Sequence, residues 1–383
     1  SVISSGMVAV MTQNIGAGRP GVAYQARQLG LTFNAVLGII VSLILTFGAG
    51  AILAGVGVAD ALMQPARTYL QIVGGFCILN ALIPICSSYL RAFGFSKEPL
   101  YASIIGNVIN FCLNAFFLFV LHKGVAGVAT ATVISRIINL VIVVLLGAVL
   151  VKAKQHPERE SNRAVMGQII RIGLPSACET AIYNVSMTLV IRFLNQMDAQ
   201  GLNVTARSYT MQITNFSYCV GAALAQANAI MTGWHIGAKE YDACDRGTKK
   251  AAVIGVIVAV ILETVFTLCS GWIMQLFSKD PQMVSLVGKL LAIDIVLEIG
   301  RVTNLVYGQA LKTSGDAVFP VVMGVCFMIL CSVGGTYLFG IRLGLLAVGA
   351  YIGMAGDECV RAIGMYLRWK SGKWKEKGLV KSR

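Results

Sequence analysis

The chain has 383 residues, of which 56% are hydrophobic and 13% charged, with a mean hydropathy of +0.75 and a net charge of +14. Soluble domains carry about 25% charged residues, so this composition excludes an ordinary water-soluble enzyme or nucleic-acid-binding module and indicates a polytopic helical membrane protein. Ten cysteines without a C-x-x-C pair and three distant histidines exclude a zinc or disulfide framework and a histidine metal site.

In chain order, the apolar pattern predicts a partial helix at 1–15 and full spans at 29–58, 69–90, 100–121 and 125–151. A polar stretch then covers 152–171. Further spans follow at 173–194, 205–232, 251–277, 283–311, 318–340 and 344–367. Each full span has the ~20 residues that cross a bilayer as a helix. The predicted organisation is a first lobe over 1–151, a linker over 152–171, a second lobe over 172–370 and a basic tail over 371–383.

The two lobes repeat each other. Ile15-Gly16-Ala17 recurs as Ile236-Gly237-Ala238, and Leu90-Arg91…Gly94…Pro99 as Leu311-Lys312…Gly315…Pro320, both at an offset of 221 residues. Leu118-Phe119 and Gly124 match Leu338-Phe339 and Gly344 with a one-residue slip. A repeat this long exceeds solenoid periods and suits a two-halved membrane transporter. Under that offset the first helix of the second lobe has no counterpart, so the sequence is expected to begin inside a second helix of a twelve-helix, six-per-lobe whole.

Basic residues concentrate in alternate loops (Arg19, Arg91, Lys97, Lys152, Lys154, Arg159, Lys239, Arg246, Lys249, Lys312) and in the tail (Lys373, Lys375, Lys377, Lys381, Arg383). Positive loops stay cytoplasmic, so the linker and tail are expected on the cytosolic side of a plasma (inner) membrane.

The ordered motifs resemble those of the multidrug and toxic compound extrusion (MATE) family. They comprise Thr12-Gln13-Asn14-Ile15-Gly16-Ala17-Gly18 with its degenerate copy Gly233-Trp234-His235-Ile236-Gly237-Ala238-Lys239, the Leu90 and Leu311 turns, Gly124-Val125-Ala126-Gly127-Val128-Ala129, and Asp357-Glu358-x-x-Arg361. The resemblance implies an all-α membrane fold of two helical lobes. It also implies a secondary antiporter, working as a monomer, that exports small amphipathic or cationic compounds in exchange for H⁺ or Na⁺. No cofactor is expected beyond the transported ion, no nucleic acid, and no partner besides substrate and the lipid bilayer. A lipid-linked oligosaccharide flippase of the same superfamily is the alternative. It calls for a strongly cationic cavity, for which Arg136, Arg192 and Arg301 are a thin supply. An intramembrane enzyme is disfavoured by the lack of an H-E-x-x-H or Ser/His arrangement.

Charged groups inside the membrane cost roughly 2.5–3.5 kcal/mol each at a helix centre and therefore mark candidate sites. Asp294, Glu298, Arg301 and Asn304 share one helix face, with Glu298 and Arg301 spaced to pair. Asp357, Glu358 and Arg361 read as a structural ion cluster, and Glu263 stands isolated. In the family an acidic residue on the seventh helix contributes to the second-lobe ion site, which by resemblance is Glu179, four residues after Pro175. Glu179, Asp294 and Glu298 are the expected ion-coupling residues, with Glu179 a candidate Na⁺ ligand; pairing of Glu179 with Arg171 is the structural alternative. Tyr183, Asn184, Gln212, Asn215 and Arg301 are expected in the substrate cavity, together with Asn110 and Asn114 of the first lobe. The family's usual aspartate stands as Asn114 here, and an amide cannot take up a proton at ordinary pH.

Overall fold

The computed structural model describes residues 3–56, 60–152, 156–197 and 201–380. Among these every regular element is a helix, with no strand. Two compact units divide it, Ser1–Gly173 and Leu174–Arg383.

Unit 1 contains α1 (Ser4–Gly16), α2 (Pro20–Phe47), α3 (Ala49–Val56), α4 (Asp60–Gly75), α5 (Cys77–Ala92), α6 (Lys97–Ala115) and α7 (Gly124–Leu150). Helix α8 (Asn162–Met197) begins in unit 1 and continues into unit 2, so the stretch read as a linker is already helical from Asn162. Unit 2 continues with α9 (Leu202–Gly237), α10 (Tyr241–Leu268), α11 (Ser270–Met274), α12 (Pro281–Thr313), α13 (Val318–Phe327) and α14 (Leu346–Lys370). The expected positions Lys154, Lys381 and Arg383 lie outside the described residues.

Among the described residues, six helical stretches are long and apolar enough to cross a membrane: Pro20–Phe47, Asp60–Ala92, Lys97–Val120, Gly124–Leu150, Tyr241–Leu268 and Val318–Arg342. They turn large apolar side chains outward, Phe47, Phe111, Phe119, Leu268 and Leu330 among them, as lipid-facing helices do. Helices α8, α9, α12 and α14 are long as well, at 36, 36, 33 and 25 residues. Their polar side chains make them less apolar, and these helices carry the second-lobe candidate residues.

The 221-residue offset recurs in the backbone. Helices α2 and α10 begin at Pro20 and Tyr241, and α6 and α13 at Lys97 and Val318. Pro99 and Pro320 occupy the third position of α6 and α13, where an N–H has no intrahelical partner to lose. Gly18 has φ +72°, and Lys239 adopts φ +61° at the equivalent place. The turn between α1 and α2 therefore demands the left-handed conformation, and its second copy keeps that conformation without glycine. The backbone corrects one expected match. Gly124 and Leu346 open α7 and α14 with φ +53° and +52°, while Gly344 pairs with His122 (φ +68° and +49°). Gly124 thus corresponds to Leu346 rather than to Gly344; an identical residue type drew the sequence match two positions away from the conformational one. A π-helical turn ends the equivalent helices in both units, at Phe116–Val120 and Thr336–Arg342.

Each unit ties down the segment after its last helix. In unit 1, Arg19 pairs with Glu160 at 2.7 Å, and Gln25 donates to the Glu160 carbonyl at 2.7 Å. In unit 2, the tail turns back as a short 3₁₀ segment, Lys373–Glu376. Trp374 stacks on Trp369 at 4.1 Å and donates to its carbonyl, while Trp369 donates to Asp245 at 2.8 Å. Asp316 receives Arg368 at 2.7 Å and Lys377 at 3.2 Å. Part of the basic tail is therefore packed structure. Truncating the buried Trp374 to alanine should lower stability by about 3–5 kcal/mol, the usual cost for a buried aromatic; thermal unfolding in detergent measures it, and an unchanged midpoint contradicts the docked tail.

Candidate functional site

Helix α12 is the axis of unit 2, packed against α9, α10 and α14. Its buried apolar positions include Leu290, Leu291, Leu297, Val302 and Val306, and the same helix buries Asp294, Glu298 and Asn304. The α12 and α14 backbones meet at Gly300, where a Cβ would lie 2.7 Å from the Cys359 nitrogen. Only glycine permits that approach, and it brings the polar groups of the two helices together.

The result is a ladder of charges. Arg301 donates to Glu298 and lies 3.5 Å from Glu358. Glu358 accepts from Asn304 at 2.9 Å and pairs with Arg361 at 3.0 Å. Arg361 pairs with Asp357 at 2.9 Å, and Asp357 accepts from Ser332 at 2.9 Å. Fractional exposure is 0% for Glu298, 2% for Asp294 and Asp357, and 5% for Arg361, so each charge depends on its neighbour rather than on water.

Beside the ladder lies a cavity of about 370 Å³ within unit 2. Glu179, Tyr183, Asn184, Tyr218, Arg301 and Glu358 contribute to its wall, and so do Lys312 and Arg361. Glu179 pairs with Lys312 at 2.6 Å, rather than with the Arg171 considered from sequence. Arg301 stands 5.8 Å from the Tyr218 ring centroid, within cation–π range.

The sequence-derived residues thus fall into three groups. Glu179, Tyr183, Asn184 and Arg301 line the cavity, while Glu298 and Asp294 stand behind it on α12. Gln212 and Asn215 lie on the exposed side of α9 and do not border this cavity; the buried face of α9 runs through Thr210, Thr214 and Ser217 instead. In unit 1, Asn114 donates to Asn110 at 3.0 Å and Asn110 to Ser135 at 3.2 Å, leaving the Asn114 carbonyl oxygen without a hydrogen bond.

Three residues with a place here were undervalued in sequence. Lys312 reads as a loop cation yet neutralises Glu179, from 133 positions away. Arg361 reads as structural yet faces the cavity. Glu263 reads as isolated yet is fully buried within the electrostatic reach of Asp294 and Glu298. Its signal was the stripe Ala252, Gly255, Ala259, Glu263 on α10, spaced by three and four residues, which is the buried face of that helix.

A protein-family model described as MatE matches residues 1–116 and 175–338. The chain belongs to the MatE family. It is 32% identical over 386 residues to the uncharacterized transporter YisQ of Bacillus subtilis, covering 99% of this chain and 84% of that protein. The probable multidrug resistance protein YoeA of the same organism is 22% identical over 92% of this chain and 77% of its own length. Among solved structures, a MATE crystal structure in the straight conformation superposes with a TM-score of 0.88 at 19% identity, covering 98% of this chain and 84% of that one. The MatE chain is therefore a multi-pass membrane transporter and not an enzyme.

The ladder makes a stability prediction for this MatE protein. Arg361→Met strands Asp357 and Glu358 in a buried setting and should cost about 3–5 kcal/mol. Adding Asp357→Asn and Glu358→Gln should recover a large part of that loss. Thermal midpoints of the purified variants decide, and a fully additive triple variant contradicts the ladder.

Proposed function

We propose that this transporter is a secondary antiporter of the plasma (inner) membrane, with its tail in the cytosol, that exports amphipathic or cationic compounds in exchange for H⁺ or Na⁺. It works as a monomer by alternating access and needs no cofactor. The observation that carries this reading is an excess of buried acid beside a cavity. Glu263, Asp294, Glu298, Asp357 and Glu358 lie inside unit 2, against the buried arginines Arg207 and Arg361 and the largely buried Arg301. Carboxylates without enough resident cations invite a mobile one, and a carrier that binds it on one side and releases it on the other gains about 2.3 kcal/mol per charge per 100 mV.

Glu179, Asp294 and Glu298 are the proposed ion-coupling residues. In this scheme a cation arriving at Glu298 or Glu179 competes with Arg301 or Lys312 for the carboxylate, which alters the cavity wall that the substrate meets. Tyr183 and Tyr218 offer aromatic faces to a lipophilic cation. The alternative of an oligosaccharide-lipid flippase needs free cations for a pyrophosphate group. The cationic groups of this cavity, Arg301, Lys312 and Arg361, are each already paired with a carboxylate, which favours the antiporter.

Proteoliposomes test the reading, with ethidium as the fluorescent probe and imposed H⁺ or Na⁺ gradients as the drive. Wild-type protein should accumulate ethidium under at least one gradient, and Glu298→Gln and Glu179→Gln should lose most of that accumulation. Flux indifferent to both gradients contradicts the coupling.

A further inference from the structure

Glu263 has no part in the ladder. It lies on α10, fully buried, and neither carboxyl oxygen makes a hydrogen bond. The antiparallel packing of α10 on α12 places it. Gly255 of α10 sits against Val302 of α12, with a would-be Cβ 2.7 Å from that side chain. Two turns further along α10, the same register carries Glu263 to the level of Asp294, the largest charge influence upon it, with Glu298 next.

The surroundings contain other unfinished polar groups. Asp294 Oδ2 and Glu298 Oε2 are buried and unbonded. Ser217 of α9, 1% exposed, is the polar neighbour of Glu263 from that side, and its hydroxyl also lacks a completed hydrogen bond. The charged groups facing Glu263 are Asp294, Glu298 and Arg301, all on α12. Arg301 is already engaged by Glu298 and Glu358. Arg207 of α9 lies near Tyr351, which also faces Asp294. Among the described residues no adjacent cation is left to neutralise Glu263.

The duplication shows that this acid is not part of the inherited scaffold. Its counterpart 221 residues earlier is Ser42, whose hydroxyl accepts the backbone N–H of Ile78 at 3.3 Å. The counterparts of Asp294 and Glu298 are Val73 and Cys77. One copy fills the place with a small satisfied hydroxyl, and the other with carboxyls that lack partners.

We propose that Glu263 is a proton-carrying member of the coupling site, forming with Asp294 and Ser217 a chamber inside unit 2 that stores and releases a proton. An ionised carboxylate without a hydrogen bond inside a membrane protein is far more costly than the neutral acid. Among the described residues no group of three or more acidic, histidine or cysteine side chains converges closely enough to hold a metal ion, whereas a proton needs only one carboxyl oxygen, and the proton is the occupant proposed. Release needs no further reactant: the proton leaves a Glu263 oxygen for Asp294 or for entering water, which leaves Glu263 as a carboxylate, and protonation from the opposite side regenerates the carboxylic acid. The role in transport rests on the antiporter reading; the protonation of Glu263 does not.

Infrared spectroscopy of the full-length protein in lipid tests protonation directly. At neutral pH the C=O stretch of protonated carboxyl groups should lose intensity in E263Q, and its thermal midpoint should match the wild type because glutamine mimics the neutral acid. An unchanged carboxyl band overturns the proposal, as does a markedly lowered midpoint, which would mean that a charged Glu263 had been serving a partner. In proteoliposomes, ethidium uptake driven by a pH gradient should be lost in E263Q, and unimpaired uptake also overturns it. If wild-type protein shows no gradient-driven uptake, the antiporter reading fails while the infrared result still decides the state of Glu263.

Discussion

Charge neutralisation inside an apolar bundle is the constraint on which unit 2 depends. A carboxylate buried among helices must find a cation, a hydrogen-bond donor or a proton, because water is not there to solvate it. Glu298, Glu358 and Asp357 find arginines, and Glu179 finds Lys312. These pairings stitch α12 to α14 and α8 to α12, so the interactions that could bind an ion are also those that hold helices in place. A change of occupancy at such a site alters packing as well as charge. Asp294 and Glu263 are the exceptions, buried beyond the ladder with oxygens unbonded.

The duplicated scaffold supplies the geometry without supplying the chemistry. Equivalent turns keep their left-handed residues whether or not they keep glycine, as Gly18 and Lys239 show. Helices α2 and α10, and α6 and α13, begin 221 residues apart, and the second pair runs on into π turns. Upon this common frame unit 1 places Asn110, Asn114 and Ser135 in a neutral hydrogen-bonded chain, while unit 2 places ionisable groups. An amide chain can orient a ligand; it cannot exchange protons at ordinary pH.

The helices and their duplication were legible because hydropathy and offset are local or linear properties. The Glu298–Arg301 pair was equally legible, since three positions on a helix fix its geometry. Partners on different helices were not. Lys312 reaches Glu179, and Glu263 meets Asp294, only through the register in which helices pack, and no periodicity within one helix encodes that register. Gln212 and Asn215 form an exposed stripe by helical spacing, but which side of α9 is buried is decided by its neighbours, and it is the side of Thr210 and Ser217. Gly124 and Gly344 were matched by residue type, whereas the chain repeats a conformation.

In the proposed transport cycle the ion is exchanged in unit 2. Ion release on ethidium binding to purified protein in weak buffer, followed in parallel by a pH dye and a Na⁺ electrode, tests it most directly. Substrate-induced release is expected in wild type, is expected to disappear when the acids of α10 and α12 are replaced by their amides, and is expected to persist when Asn110 and Asn114 are replaced by alanine. Release that survives loss of those acids, or that vanishes with the two asparagines, would contradict it.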